Sequence, residues 1–272
     1  ELAVDVKKRL LAAPLRGAAA EFLNPHLFSL WSSDVASYDP RIQQHLVLES
    51  RLCAEYTALL AGARIEFAGR ERSLSEFLQY RSVADRDVRL AAEQARWGFF
   101  EEKHETLDRI FDDLVRVRHE MATTLGFENY IPLGYLRMQR VDYDQHDVER
   151  FRAQVREQLV PLAVARREVQ RGRLGLDALF FWDEGVSSPD GGPVPPGDAA
   201  WLVEEGREAF AEIHPDLGRF ADMMTEGGFL DLTPRPGKAG GGFCTSFDEY
   251  GVPFVFANFA QTATDVRVFL HE

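Results

Sequence analysis

The chain closes on three consecutive stretches: Gly237-Lys-Ala-Gly-Gly-Gly-Phe-Cys-Thr245, then Val252-Pro-Phe-Val-Phe-Ala-Asn-Phe259, then Thr262-Ala-Thr-Asp-Val-Arg-Val-Phe-Leu-His-Glu272. Gly240, Gly241 and Gly242 permit positive φ or a close backbone approach that side chains would forbid. Residues 252–259 are rich in strand formers and too short for a helix of their own. Pro253 cannot donate to a ladder, so this strand is expected to begin there or to lie at a sheet edge. An edge strand has spare amides and carbonyls, with which an extended peptide can pair. Thr262 then caps a helix that carries Asp265 three positions on, with Val266, Phe269 and Leu270 turned inward. His271-Glu272 is the first half of His-Glu-x-x-His, a helical pattern in which two imidazoles share a metal and the Glu acts on a metal-bound water. A two-residue match is common by chance; its weight comes from the glycines, strand and cap that lead into it. Gly237-Lys238 is no phosphate loop, because Ala239 stands where Ser or Thr is required and Leu232 where the first Gly should be.

Working outward, the rest of the chain is helical in pattern. Asp183 to Asp198 encloses a Gly- and Pro-rich run that marks a surface loop, with helix resuming at Trp201 and another around Leu217 to Met224. Upstream, Val148, Phe151, Val155, Leu159, Leu162 and Ala163 recur on one side of a helix over about 147–171. Residues 129–140 bring Tyr130, Tyr135 and Arg137 close to a turn, where they are core or line a cleft. From Ser82 to about Leu125 runs one long or once-broken helical tract, with Ser82 and Asp85 as a capping box and Gly126 at the C-cap. His119-Glu120 within it is a decoy, since Thr123 occupies the position where a second His is needed. Ser73 and Glu76 form another capping box, after an extended element that turns at Ala68-Gly69. The first 62 residues are helices broken by Pro14, Pro25 and Pro40, the last with Asp39 as cap; His26 and His45 there have no partner at ligand spacing.

Composition bounds the partners. At 272 residues, with 45% hydrophobic and 28% charged content, the chain can bury a core. A formal net charge of −13 disfavours nucleic acid and anionic membranes. Two cysteines, Cys53 and Cys244, give no disulfide framework, and no signal peptide or membrane span is visible, so a cytoplasmic setting is expected.

Taken together, Leu125-Gly-Phe-Glu-Asn-Tyr130, Leu133-Gly-Tyr135, Arg137-Met138, the glycine-rich stretch 237–245, residues 253–259, Asp265-Val266 and His271-Glu272 resemble the oligoendopeptidase F branch of the thimet oligopeptidase family of zinc metallopeptidases. The resemblance implies a mainly α fold with a small β element, the N-terminal part of a helical, clam-like body with a deep substrate channel. It implies residues 1–80 as an N-terminal helical region with a short β-hairpin. Residues 81–272 would be the N-terminal portion of the catalytic domain, truncated inside its metal-binding helix. By the same resemblance His271 is a ligand of one Zn2+ ion, Glu272 the general base, and the remaining ligands fall beyond residue 272. Gly240, Gly241, Gly242, Phe254, Val255, Phe256, Ala257 and Asn258 are the candidates for holding a short peptide substrate. The 272 residues alone are expected to be inactive.

Two other classes fit parts of the pattern. Cys244 beside a glycine-rich turn can be an activated nucleophile with His271 as its base. Alternatively, the chain is a non-enzymatic helical scaffold that binds peptides by an edge strand.

Overall fold

Capping residues and prolines fix where most helices begin. The computed structural model describes residues 2–13, 17 and 22–271, so Pro14 and Glu272 lie outside the described residues. In chain order the elements are α1 (Leu2–Ala12), α2 (Pro25–Ala36), α3 (Gln43–Ala61), β1 (Ile65–Phe67), β2 (Arg70–Arg72), α4 (Arg86–Glu102), α5 (His104–Thr124), α6 (Tyr130–Arg137), α7 (Gln145–Gln154), α8 (Val160–Arg173), α9 (Ala199–Ile213), α10 (Pro215–Glu226), β3 (Leu230–Asp231), β4 (Phe243–Phe247), β5 (Val252–Phe256) and α11 (Ala263–His271). The chain is thus mainly helical, with two small sheets. It divides into two units, one from residues 1–56 and 105–165, the other from 57–104 and 166–272.

In the first unit, Asn24 caps α2, which has Pro25 in its first turn, and Asp39 caps the short turn Pro40–Ile42 ahead of α3. Ile42, Met121, Ala122 and Leu133 are fully buried and form the core, with Leu46, Leu125, Phe127 and Tyr130 against it. Gly126 ends α5 at φ +89°, a conformation that favours glycine. Glu49 is buried on α3 and accepts from Arg118 Nε at 2.7 Å and from Arg137 Nη2 at 2.6 Å. Burial opposes its ionisation, but these hydrogen bonds outweigh burial and hold its pKa below the ordinary glutamate range. Arg137 also donates to the Tyr130 hydroxyl at 2.8 Å, so this pair belongs to the core network. Tyr135, by contrast, lines a cleft of about 1160 Å3 within this unit. A π turn, Val155–Leu159, joins α7 to α8. The apolar side expected there is not packed: Phe151, Leu159 and Leu162 are exposed, and neither helix has a buried residue.

In the second unit, β1 and β2 form a hairpin across Ala68 and Gly69, both at positive φ. Its core is Ala63, Ile65, Phe77, Ala92 and Phe99. Glu76 does accept from the Ser73 N–H at 2.8 Å, although the segment it opens, Ser75–Ser82, is 3-10 rather than α. The next helix, α4, starts later than the Ser82 box implies. Asp85 is its N-cap, accepting from the N–H groups of Asp87 and Val88, because Ser82 is already used in the preceding 3-10 segment. Lys103 separates α4 from α5, so the long tract is broken once. Asp183 is fully buried and pinned to α4 by Arg86 and Arg89 at 2.8 and 2.9 Å. A second core of this unit joins α9 and α10 to the three-stranded sheet through Leu202, Met224, Leu232, Val252, Val255, Ala257 and Phe259.

Candidate functional site

The sheet that carries the candidate residues has strand order β3-β5-β4. Of the two placements expected for Pro253, the edge does not hold, because β5 is the central strand, whereas the start of the strand nearly does, since β5 begins one residue earlier at Val252. The N–H groups of Val255 and Ala257 donate to Phe229 O and Asp231 O on the β3 side, each at 2.9 Å. Pro253, two residues earlier, has the same orientation, and its missing N–H faces a point where β3 has not yet begun. That is how a proline is tolerated in the middle of this sheet. By the same alternation Phe254 and Phe256 turn their backbone groups toward β4, where the register pairs Phe243 with Phe256 and Thr245 with Phe254.

Of the two edge strands, the five-residue β4 is the longer, and its outer side is open among the described residues. Phe243, Thr245 and Phe247 spend their backbone groups on β5, so those of Cys244 and Ser246 point outward. All five residues of β4 are exposed. Phe243-Cys-Thr-Ser-Phe247 carries no period-two alternation of apolar and polar residues, so no periodic sequence signal marked this strand. Nor was there one for β3, two residues long.

Two side chains fasten the glycine-rich segment to the end of β5. Asn258 Nδ2 donates to Ala239 O and to Gly241 O, each at 2.9 Å. Gly241 has φ +87°, and a side chain at Gly242 would come within 3.1 Å of Phe256 O. The candidate residues Gly240, Gly241 and Gly242 thus meet Phe256, Ala257 and Asn258 as one assembly that delivers the chain into β4. Beneath it Lys238, whose side chain is buried, donates to Ala257 O at 2.6 Å, Asp231 O at 2.9 Å and Thr233 O at 3.1 Å. Its Nζ lies 3.0 Å from Asp231 Oδ1 and 4.4 Å from the centre of the Phe256 ring. Burial lowers the Lys238 pKa, while hydrogen bonds from Arg235 first and then from Lys238 bring that of Asp231 down to about 2. The sequence alone offered no sign of this anchoring role.

The cap of α11 is reciprocal: Asp265 N–H donates to Thr262 Oγ1 at 3.3 Å, and Thr262 N–H to Asp265 Oδ2 at 2.8 Å. Asp265 also accepts from Ala260 N–H at 2.8 Å, which fixes the turn between β5 and the helix. At the far end His271 is exposed and lines a cavity of about 250 Å3 with Pro253 and Val255 of β5, Met224 of α10, and Phe269 and Leu270. It therefore shares a cavity with one face of β5, whereas the glycine segment and Asn258 do not line that cavity. Among the described residues no three His, Cys, Asp or Glu side chains gather where they could hold a metal ion. Among the described residues no hydrogen bond joins Cys244 to His271, and both side chains are exposed. No described helix is long and apolar enough to cross a membrane.

Residues 79–185 match the family model for peptidase family M3. A solved structure named for oligoendopeptidase F is 40% identical, covers the whole of this chain and superposes with a TM-score of 0.95. PZ peptidase A, solved with an inhibitor, is 41% identical with the same coverage and TM-score. A structure from Bacillus anthracis str. Ames, also named for oligoendopeptidase F, is 39% identical, covers 99% of the chain and superposes at 0.93. The chain spans 48%, 48% and 50% of those three structures' lengths, about half in each case. No curated protein matches it.

Proposed function

Because the chain belongs to the oligoendopeptidase F branch of peptidase family M3, we propose that it forms the peptide-presenting part of a zinc-dependent endopeptidase acting on short oligopeptides. The observation that carries this reading is the free edge of β4, held in place by Lys238 and Asn258 in the same unit as the helix that ends at His271. An extended peptide can add to that edge through the outward backbone groups of Cys244 and Ser246. This moves the proposed contact one strand outward from residues 254–258. Those residues, with Gly240, Gly241 and Gly242, then position the edge.

Zinc belongs to the same proposal, with His271 as one ligand and Glu272 as the general base for a metal-activated water. A catalytic zinc site needs three protein ligands, and the described residues offer one imidazole. They do not fit a zinc ion by themselves, and none of them carries a step of the hydrolysis. The proposal takes a second His and a further carboxylate from outside the 272 residues and holds the 272 residues alone to be inactive. Peptides are the expected partners, and nucleic acid and anionic membranes are disfavoured by the net charge of −13. A cytoplasmic setting also rests on the sequence.

The test is hydrolysis of a quenched fluorescent oligopeptide, comparing this chain with one extended through the second His and the carboxylate. The extended chain should cleave, and should lose activity both on chelation and on His271→Ala. Cleavage by the 272 residues alone, or cleavage by the extended chain that survives chelation, would overturn the reading.

A further inference from the structure

One face of the β4–β5 ladder carries four phenylalanines. Phe243 and Phe256, directly opposite in register, stack at 4.9 Å between ring centres with planes 10° apart. Phe247 meets Phe254 edge-on at 5.7 Å. The β5 rings are partly covered, while Phe243 is 50% exposed and Phe247 44% exposed. The stack is rigid from below, because Phe256 also receives the buried Lys238 ammonium at 4.4 Å. Between the two exposed rings, on the same face, stands only Thr245.

From this geometry, and resting on the proposed pairing of a peptide with β4, we infer that Phe243 and Phe247 select the substrate. Side chains of a strand added to β4 alternate between faces, and those on the phenylalanine face lie opposite positions 243, 245 and 247. The peptide that fits has large apolar or aromatic side chains at i and i+4, over the two rings, and a small side chain at i+2, over Thr245. Charge adds a second criterion. Beyond Phe247 the hairpin turn exposes Asp248 and Glu249, and neither pairs with a basic side chain among the described residues. The peptide end that overhangs Phe247 is therefore favoured when basic and disfavoured when acidic.

The probe is a set of fluorescein-labelled nonapeptides with Phe or Ala at i and i+4 around a constant Ala at i+2, with binding to this chain read by anisotropy, which needs no metal. An aromatic contact of ordinary strength makes each Phe peptide bind about two- to tenfold tighter than its Ala counterpart. Phe243→Ala should bring that ratio to about one at one position, and Phe247→Ala at the other. Thr245→Phe should create a new preference for a large side chain at i+2, a gain that misfolding cannot mimic. Ratios that are unchanged in both alanine variants, with no new preference in Thr245→Phe, overturn the inference. N-methylation of alternate peptide amides separates it from the reading beneath it. If N-methylation weakens binding while the ratios ignore Phe243 and Phe247, only the selection fails; if it has no effect at any amide, the pairing itself fails.

Discussion

The Asn258 side chain reaches across the end of the central strand to the Gly241 carbonyl, with Nδ2 2.9 Å from the oxygen, and gives its other hydrogen to Ala239 O at the same distance. The glycine segment has few side chains with which to hold itself, so this amide fixes the path of the backbone into β4. Asn258→Ala removes two partly exposed hydrogen bonds, for an expected loss of about 1–2 kcal/mol in urea unfolding. Asn258→Asp should cost more, since it sets a carboxylate against two carbonyl oxygens. In both variants amide exchange should quicken over residues 239–247 before it does elsewhere.

Lys238 is the stiffer of the two fasteners. Its ammonium reaches three carbonyls and one carboxylate oxygen, contributed by Asp231 and Thr233 in one segment and Ala257 in another. Lys238→Met keeps the volume and removes every donor, leaving buried acceptors unpaired. The expected cost is about 2–4 kcal/mol, measured by the urea midpoint at constant m-value.

The acid limb of stability should depend on Asp183 more than on any surface pair. Burial opposes the charge of Asp183, but hydrogen bonds from Arg86, the Phe180 N–H and Arg89 bring its pKa down from 3.8 to about 2. A carboxylate with a lowered folded pKa adds stability that is present above its unfolded value and lost as pH falls through the folded one. The loss should therefore run from about pH 5 down to pH 2. Asp231, also at about 2, adds to it but is 24% exposed, so solvent screens its share. Lys238 enters as a cost at neutral pH: burial lowers its pKa, so charging it destabilises the fold below the folded value, and that penalty is relieved as pH rises toward the ordinary lysine value. Asp183→Asn should lower stability at pH 7 by about 3 kcal/mol, leaving Arg89 buried without its carboxylate, and should flatten the curve between pH 5 and 2. An acid limb as steep as that of the unaltered chain would show that Asp183 is not its source.

What could be read in advance was what is local. Thr262 and Asp265 announce the α11 cap because a capping box is complete within four residues, and Ala68-Gly69 announces its hairpin for the same reason. The position of β5 within its sheet could not be read, because its second neighbour is Leu230-Asp231, two residues with no period to detect. Pro253 argued for a strand that begins there or lies at an edge; β5 begins one residue before it, and because β3 begins only opposite Val255, a central strand can accept it. Gly237-Lys238 fails the phosphate-loop pattern, and the acceptors that Lys238 does reach belong to Asp231, Thr233 and Ala257, which no spacing rule connects. Ser82 and Asp85 both suit a cap, and the choice falls to Asp85 because Ser82 is committed to the 3-10 segment before it.

The edge of β4 can be closed without disturbing the sheet. Ser246 opposes Pro253 in a pair that exchanges no ladder hydrogen bonds, so its N–H points away from β5. Proline at such a position removes only the outward donor and is tolerated on an edge strand. Ser246→Pro should therefore change unfolding stability by less than about 1 kcal/mol, whereas Thr245→Pro, which deletes an inward donor, should cost more than about 1 kcal/mol. If peptides add to this edge, Ser246→Pro should weaken their binding about tenfold through one lost backbone bond and the clash of the ring with the incoming strand. Ser246→Ala, which keeps the N–H, should bind as the unaltered chain does. Equal affinities for the proline and alanine variants would mean that the peptide lies elsewhere, and the outward groups of Cys244 and Ser246 would then serve only to face water.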